Sequence, residues 1–171
     1  MNQQDRELTL LQLISQVSKR GEWSGASYLQ ALTYLLEQAT QTAYQFEHYW
    51  FRGGPYSSIV AAALSDLRAD GLIAYDSVVL PAGPAYRCTE AGERRMASCD
   101  SGEISGLAES FFSRPGDQRL LLARAAYAMT NHHDNPLEWL EELGLERDPA
   151  QDALEAAQEL LASRCRPKVP A

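Results

Sequence analysis

The chain has 171 residues, 45% of them hydrophobic, which suffices for one domain or one domain with a helical extension. Its formal net charge of -8 argues against a broad, non-specific nucleic-acid binder, because duplex phosphate is met by clustered Lys and Arg. The charge is uneven: residues 1–99 hold 8 Lys+Arg against 10 Asp+Glu and residues 100–171 hold 7 against 13, so the N-terminal part is the surface on which a local basic patch is conceivable.

A first helix is expected from about Asp5 to Lys19, where Leu10, Leu13, Ile14 and Val17 recur at helical spacing and Gly21 ends the run. A second helix follows, with Ser24 as its expected cap and Leu29, Leu32 and Leu36 as its buried face. The aromatic run "YQFEHYWF" alternates, with Phe46, His48 and Trp50 on one side and Glu47, Tyr49 and Phe51 on the other, and is read as a strand. "RGGP" breaks it.

Ser57 is expected to cap a third, alanine-rich helix whose stripe is Val60, Ala63, Leu64 and Leu67. Gly71 closes that helix, with Leu72 folding back on its last turn. "LIAYDSVVL", "PAGP" and "AYRCT" then read as strand, turn and returning strand, and Thr89 caps a short helix, "EAGERRMA". A hairpin directly after a helix-turn-helix is the winged-helix layout.

From about Ser98 the stretch "ASCDSGEISG" reads as a linker, and helices follow. One runs from Gly116 to Met129, with Leu122, Ala125, Ala126 and Met129 on one face. Asn135, Pro136 and Glu138 form a capping-box pattern for the next, and Asp148, Pro149 and Gln151 repeat it for the last. The expected architecture is α+β and mostly helical: a winged helix-turn-helix domain with a small β-hairpin wing over residues 5–98, then an acidic α-helical extension over 99–171.

The segments Gly54-Pro55-Tyr56-Ser57, Gly71-Leu72-Ile73 and Thr89-Glu90-Ala91-Gly92, together with "LLQLISQV" and "LQALTYLL", resemble the YwgA-like bacterial winged-helix proteins over roughly residues 8–97. Arg52-Gly53 stands where that family has an aromatic residue before Gly-Pro, and Cys88 where it has Leu. The resemblance implies DNA-binding regulation, sometimes in defence or toxin–antitoxin settings, an analogy of fold rather than of site.

On this reading the outward face of the third helix carries Ser58, Ala61, Ala62, Ser65, Arg68 and Ala69, small enough to approach a major groove. Ser57, Ser58, Ser65, Arg68 and Arg87 are the residues expected to face double-stranded DNA. The competing reading is a protein–protein adaptor or assembly subunit using the same smooth face or the acidic helices, since the wing tip has no Lys or Arg before Arg87. Trp139, Leu140 and Leu143 are the expected anchors for a homodimer or another protein partner, against the plainer account that they close a monomer's core.

His132, His133 and Asp134 invite a metal reading, but helix ending and capping explain them better. Gly53-Gly54 has no following Lys-Ser/Thr and is no phosphate loop, and His48 is expected to be packed rather than catalytic. No nucleophile–base constellation appears, so no catalytic residue and no cofactor or metal is assigned. Cys88, Cys99 and Cys165 form an odd set without a Cys-x-x-Cys pair, which fits free thiols in a reducing compartment. "MNQQDRELTLLQLI" lacks the pattern of a signal peptide, and no apolar run approaches the roughly 20 residues that span a bilayer. A cytoplasmic protein with no membrane partner is the expectation.

Overall fold

The computed structural model describes residues 3–40, 45–80, 83–97, 102–132 and 134–162, without the side chains of 77–80 and 103. Among these the chain is mostly helical α+β, with eight helices and two small antiparallel hairpins. None of the helices is long and apolar enough to cross a membrane.

Helix α1 (Gln3–Lys19) is the central element. Leu10, Leu13, Ile14 and Val17 are fully buried, as their spacing expects, and each contributes about 1.5–3 kcal/mol relative to an exposed side chain. Helix α1 packs against α2 (Ala26–Thr40), α3 (Ser58–Ala69) and α4 (Glu90–Met96).

Ser24 does not cap α2. The N–H groups of Tyr28 and Leu29 in its first turn go to the Gly25 carbonyl at 3.1 Å. The Ser24 hydroxyl instead donates to the Tyr86 carbonyl, and the Tyr86 N–H returns a bond to the Ser24 carbonyl at 3.2 Å. Gly25 bridges Ala85, so the segment between α1 and α2 lies along the edge of the second hairpin.

The aromatic run forms less strand than its alternation suggests. Gln45 and Glu47 have φ of 56° and 54°, which is incompatible with extended backbone, and β1 is confined to Tyr49–Phe51. The alternation itself survives: Phe46 is buried, and the His48 side chain is held by Glu37 Oε2 at 2.9 Å and Thr33 Oγ1 at 3.2 Å. "RGGP" is a hairpin turn rather than a plain break. Arg52 and Gly53 have φ of 48° and 84°, the two left-handed residues of a type I′ turn, and β2 (Gly54–Tyr56) returns along β1 with Trp50 opposite Pro55.

β3 (Ile73–Leu80) and β4 (Gly83–Cys88) pair antiparallel, with Ile73 opposite Cys88 and Tyr75 opposite Tyr86. Residues 81 and 82 of the expected turn lie outside the described residues. Thr89 caps α4 by accepting the Gly92 N–H at 3.2 Å.

The expected linker is partly helix. Its residues 98–101 lie outside the described residues, but α5 (Gly102–Phe112) starts within it. Ile104, Leu107, Ala108, Phe111 and Phe112 of α5 are buried, and the helix packs on α1 and α2. Then come α6 (Gly116–Asn131), α7 (Pro136–Glu142) and α8 (Arg147–Ala162). Asn135 stands before α7 as expected, but its side chain donates to the Glu138 carboxylate rather than capping a backbone N–H.

Helices α5–α8 share one core with α1–α3 rather than standing apart. Arg119 of α6 makes two bonds to the Glu22 carboxylate, at 2.7 and 3.0 Å, and two more to the carbonyls of Arg114 and Phe112. Tyr34 of α2 meets Thr130 of α6 at 2.5 Å. Trp50 of β1 packs edge-on against Trp139 of α7 at 4.6 Å between ring centroids.

Candidate nucleic-acid interface

Helix α3 buries Val60, Ala63, Leu64 and Leu67 against α1, α2 and β3. Its opposite face is bare: Ser58, Ala62, Ser65, Arg68 and Ala69 are exposed, and Ala61 is half-buried at its flank. This is the face the helical period expects. Small residues keep the helix backbone close to whatever approaches, while Arg68 flanks the stripe on one side and the exposed Asp66 on the other.

Ser57 does not belong to that face. It is fully buried, and its hydroxyl is committed twice over, accepting the Val60 N–H at 3.1 Å and donating to the Phe46 carbonyl. The backbone of Ser57 is gripped by Gln30 of α2, whose Oε1 accepts the Ser57 N–H at 2.8 Å and whose Nε2 donates to the Ser57 carbonyl at 3.0 Å. An N-cap residue points back at its own helix end, so a serine that caps α3 cannot also meet a duplex. Ser57 positions the surface and is not part of it.

Arg68 and Arg87 do not converge. The Arg68 guanidinium lies over the Tyr75 ring, 4.7 Å from its centroid, and Tyr75 in turn contacts Tyr86 at 5.2 Å. Arg87 is opposite Ala74 in the β3–β4 register, one residue out of phase with the Tyr75–Tyr86 pair, and so projects from the other face of the ribbon. Across residues 58–88 these two arginines stand against Asp66, Asp70 and Asp76.

A second exposed surface was not legible as such in the sequence. On the outward face of β1–β2, Tyr49, Phe51 and Tyr56 form a mutual cluster with ring centroids 5.2 to 6.4 Å apart, and Arg52 lies over Phe51. Tyr49 and Phe51 are 46% and 44% exposed. The period-2 alternation of the run was the signal: the side that does not carry Phe46, His48 and Trp50 has to face outward.

The expected partner anchors are largely internal. Leu140 is fully buried, and Trp139 is sandwiched by Trp50, Tyr127 and a stacked His132 whose ring centroid is 4.3 Å away. Helix α7 turns that side inward: Leu140 belongs to the core, and Trp139 packs half-buried against it and against Trp50 of β1. Leu143, at 44% exposed, remains outside. His133 lies outside the described residues, and among those described no three His, Cys, Asp or Glu side chains come together to hold a metal ion.

Cys88 faces the core and donates to the Leu11 carbonyl at 3.4 Å. Burial, helped by the Glu93 carboxylate, pushes its thiol up to about 12. Burial and then the hydrogen bond with Tyr75 push the Tyr86 phenol up to about 12 as well. Both groups hold their proton more tightly folded than unfolded. That contribution to stability is complete below their unfolded pKa values, about 8.5 and about 10, and fades as pH rises toward the folded values. Urea titrations are therefore expected to give stability that falls steadily above about pH 9. In the native chain at about pH 8, iodoacetamide is expected to leave Cys88 unmodified, and peptide mapping before and after unfolding checks it. Equal modification in both states would contradict the burial argument. Cys99 and Cys165 lie outside the described residues.

No protein-family model matches the chain, and no curated protein matches it.

Proposed function

We propose that the chain is a non-enzymatic winged helix-turn-helix regulatory protein that reads double-stranded DNA with α3. The order α1, a short edge bridge at Gly25, α2, α3, then the β3–β4 ribbon supports the winged-helix reading, as does the way the segments resembling YwgA-like proteins work together. Gly71-Leu72 and Thr89–Gly92 form one clip: the Thr89 hydroxyl meets the carbonyls of Gly71 and Leu72 at 2.7 and 3.1 Å, while its N–H reaches the latter at 3.0 Å. The single observation that carries DNA reading is the bare outward stripe of α3, left open while α5–α8 gather around α1, α2 and β2.

A specific observation favours a second reading, a protein-contact module. Phosphate contacts supply most non-specific affinity, and α3 with its ribbon has two arginines, on different faces, against three aspartates. The Tyr49–Phe51–Tyr56 cluster, whose Tyr49 and Phe51 are exposed, has the composition of a protein interface instead.

Mobility shifts of genomic duplex fragments as a function of salt separate the two. DNA reading with so few cations predicts a shallow dependence, with log K falling about 0.9 per phosphate contact per log unit of salt and a slope near -2. Arg68→Ala is expected to weaken binding about tenfold and to remove about one unit of that slope. No mobility change at low salt across the fragments rejects DNA reading and leaves the protein-contact module.

A further inference from the structure

Between the N-terminal turn of α2, the β1–β2 turn, α3 and α6 lies a cavity of about 390 Å³. At about 30 Å³ per water it has room for roughly a dozen waters, and so for a molecule of one or two rings. Its walls are mostly apolar, with Phe51, Leu64 and Leu120 among them, and among the described residues no Asp or Glu lines it.

Two arginines line it, Arg124 and Arg52, the latter with its guanidinium over the Phe51 ring. Arg124 is half-buried and, among the described residues, makes no hydrogen bond or ion pair, in contrast to Arg119 on the same helix, which is fully engaged by Glu22. Burial lowers the Arg124 pKa. The guanidinium reaches beneath the β1–β2 turn: its Nη2 is 3.6 Å from the point a Cβ on Gly53 would occupy. Taking a cation half out of water without a partner is costly unless something else meets it. An apolar cavity with an unmet cation and no carboxylate complements one chemical class.

We propose that this cavity binds a small organic carboxylate, its apolar body against Phe51, Leu64 and Leu120 and its charge on Arg124, with Arg52 at the exposed side. Ala61 and Leu64 of the lining belong to α3 and Tyr86 to β4, so an occupant touches the elements that form the candidate interface. The inference concerns ligand binding alone, and its test uses no DNA, so it stands or falls separately from what α3 reads.

The test titrates the ¹⁵N-labelled full chain with benzoate, 1-naphthoate and decanoate, and with neutral 1-naphthamide. At least one carboxylate is expected to shift the Ser27, Gly53 and Gly54 amide signals saturably, with a Kd tighter than about 1 mM. The amide should bind at least about tenfold more weakly than 1-naphthoate, Arg124→Gln should abolish saturation and Arg124→Lys should restore part of it. Thermal melts check that both variants fold; should Arg124→Gln fail to, the Lys variant and the acid–amide comparison decide. No saturable shift from any of the three carboxylates, equal binding of acid and amide, or unchanged binding in a folded Arg124→Gln chain overturns the proposal.

Discussion

Alanine at position 92 is expected to cost about 3–5 kcal/mol of folding stability, roughly 10 °C in Tm for a chain of this size. Gly92 has no left-handed φ to explain it; its reason is approach. A Cβ there would stand 2.3 Å from the Leu72 carbonyl oxygen, 3.2 Å from its carbon and 3.4 Å from Leu11 Cδ2. A side chain could swing aside, but a backbone oxygen cannot. The Leu72 oxygen is also held from two directions by Thr89, whose N–H and hydroxyl lie 3.0 and 3.1 Å away. Relieving the clash means lifting α4 off the start of β3 and giving up those bonds. Gly106 is the internal control. It lies in the interior of α5 with nothing within 4 Å of a built Cβ, so alanine there should add about 0.5–1 kcal/mol through backbone entropy alone. Urea titration of both variants reads the difference, and two effects of the same sign would contradict the close-approach argument.

Features that depend on neighbours in sequence were the readable ones. The stripes of α1 and α3, the Gly71 stop and the Thr89 cap are local, because period, cap and left-handed glycine each act within a turn or two. What failed depended on distant partners. Ser24 has the composition of a cap, but Tyr86 outcompetes its own helix end for the hydroxyl. Gly54-Pro55 reads as a breaker, yet Pro55 sits comfortably in a two-stranded ribbon. Helix α5 was missed although Ile104, Leu107, Ala108, Phe111 and Phe112 keep helical spacing, because "DSGEISG" put turn-type residues over its first part. Leu140 and Leu143 are indistinguishable in the sequence, and only the packing of α7 separates them. Arg124 carried no signal: beside Arg119, one residue has a Glu22 to answer it and the other does not.

The same distinction between holding the α3 face and being part of it governs the other large expected effect, at Gln30. This side chain is buried, and its amide forms a two-bond clamp on the Ser57 backbone. Leucine there fills much the same volume but strands the Ser57 N–H, whose partner is Gln30 Oε1; the Ser57 carbonyl keeps its bond from the Ala61 N–H at 3.2 Å. An orphaned buried donor plus one lost bond costs about 2–4 kcal/mol. Ser57→Ala removes the cap and the donor to the Phe46 carbonyl, for about 1–2 kcal/mol. Arg68→Ala, by contrast, loses an exposed contact with Tyr75 worth under about 1 kcal/mol. Stability and binding should therefore separate. Gln30→Leu and Ser57→Ala lower the urea midpoint while leaving the exposed residues of α3 untouched, and Arg68→Ala leaves the midpoint in place and acts on binding. A Gln30→Leu chain as stable as the parent, or an Arg68→Ala chain that unfolds several kcal/mol more easily, would mean that α3 is seated by contacts other than this clamp.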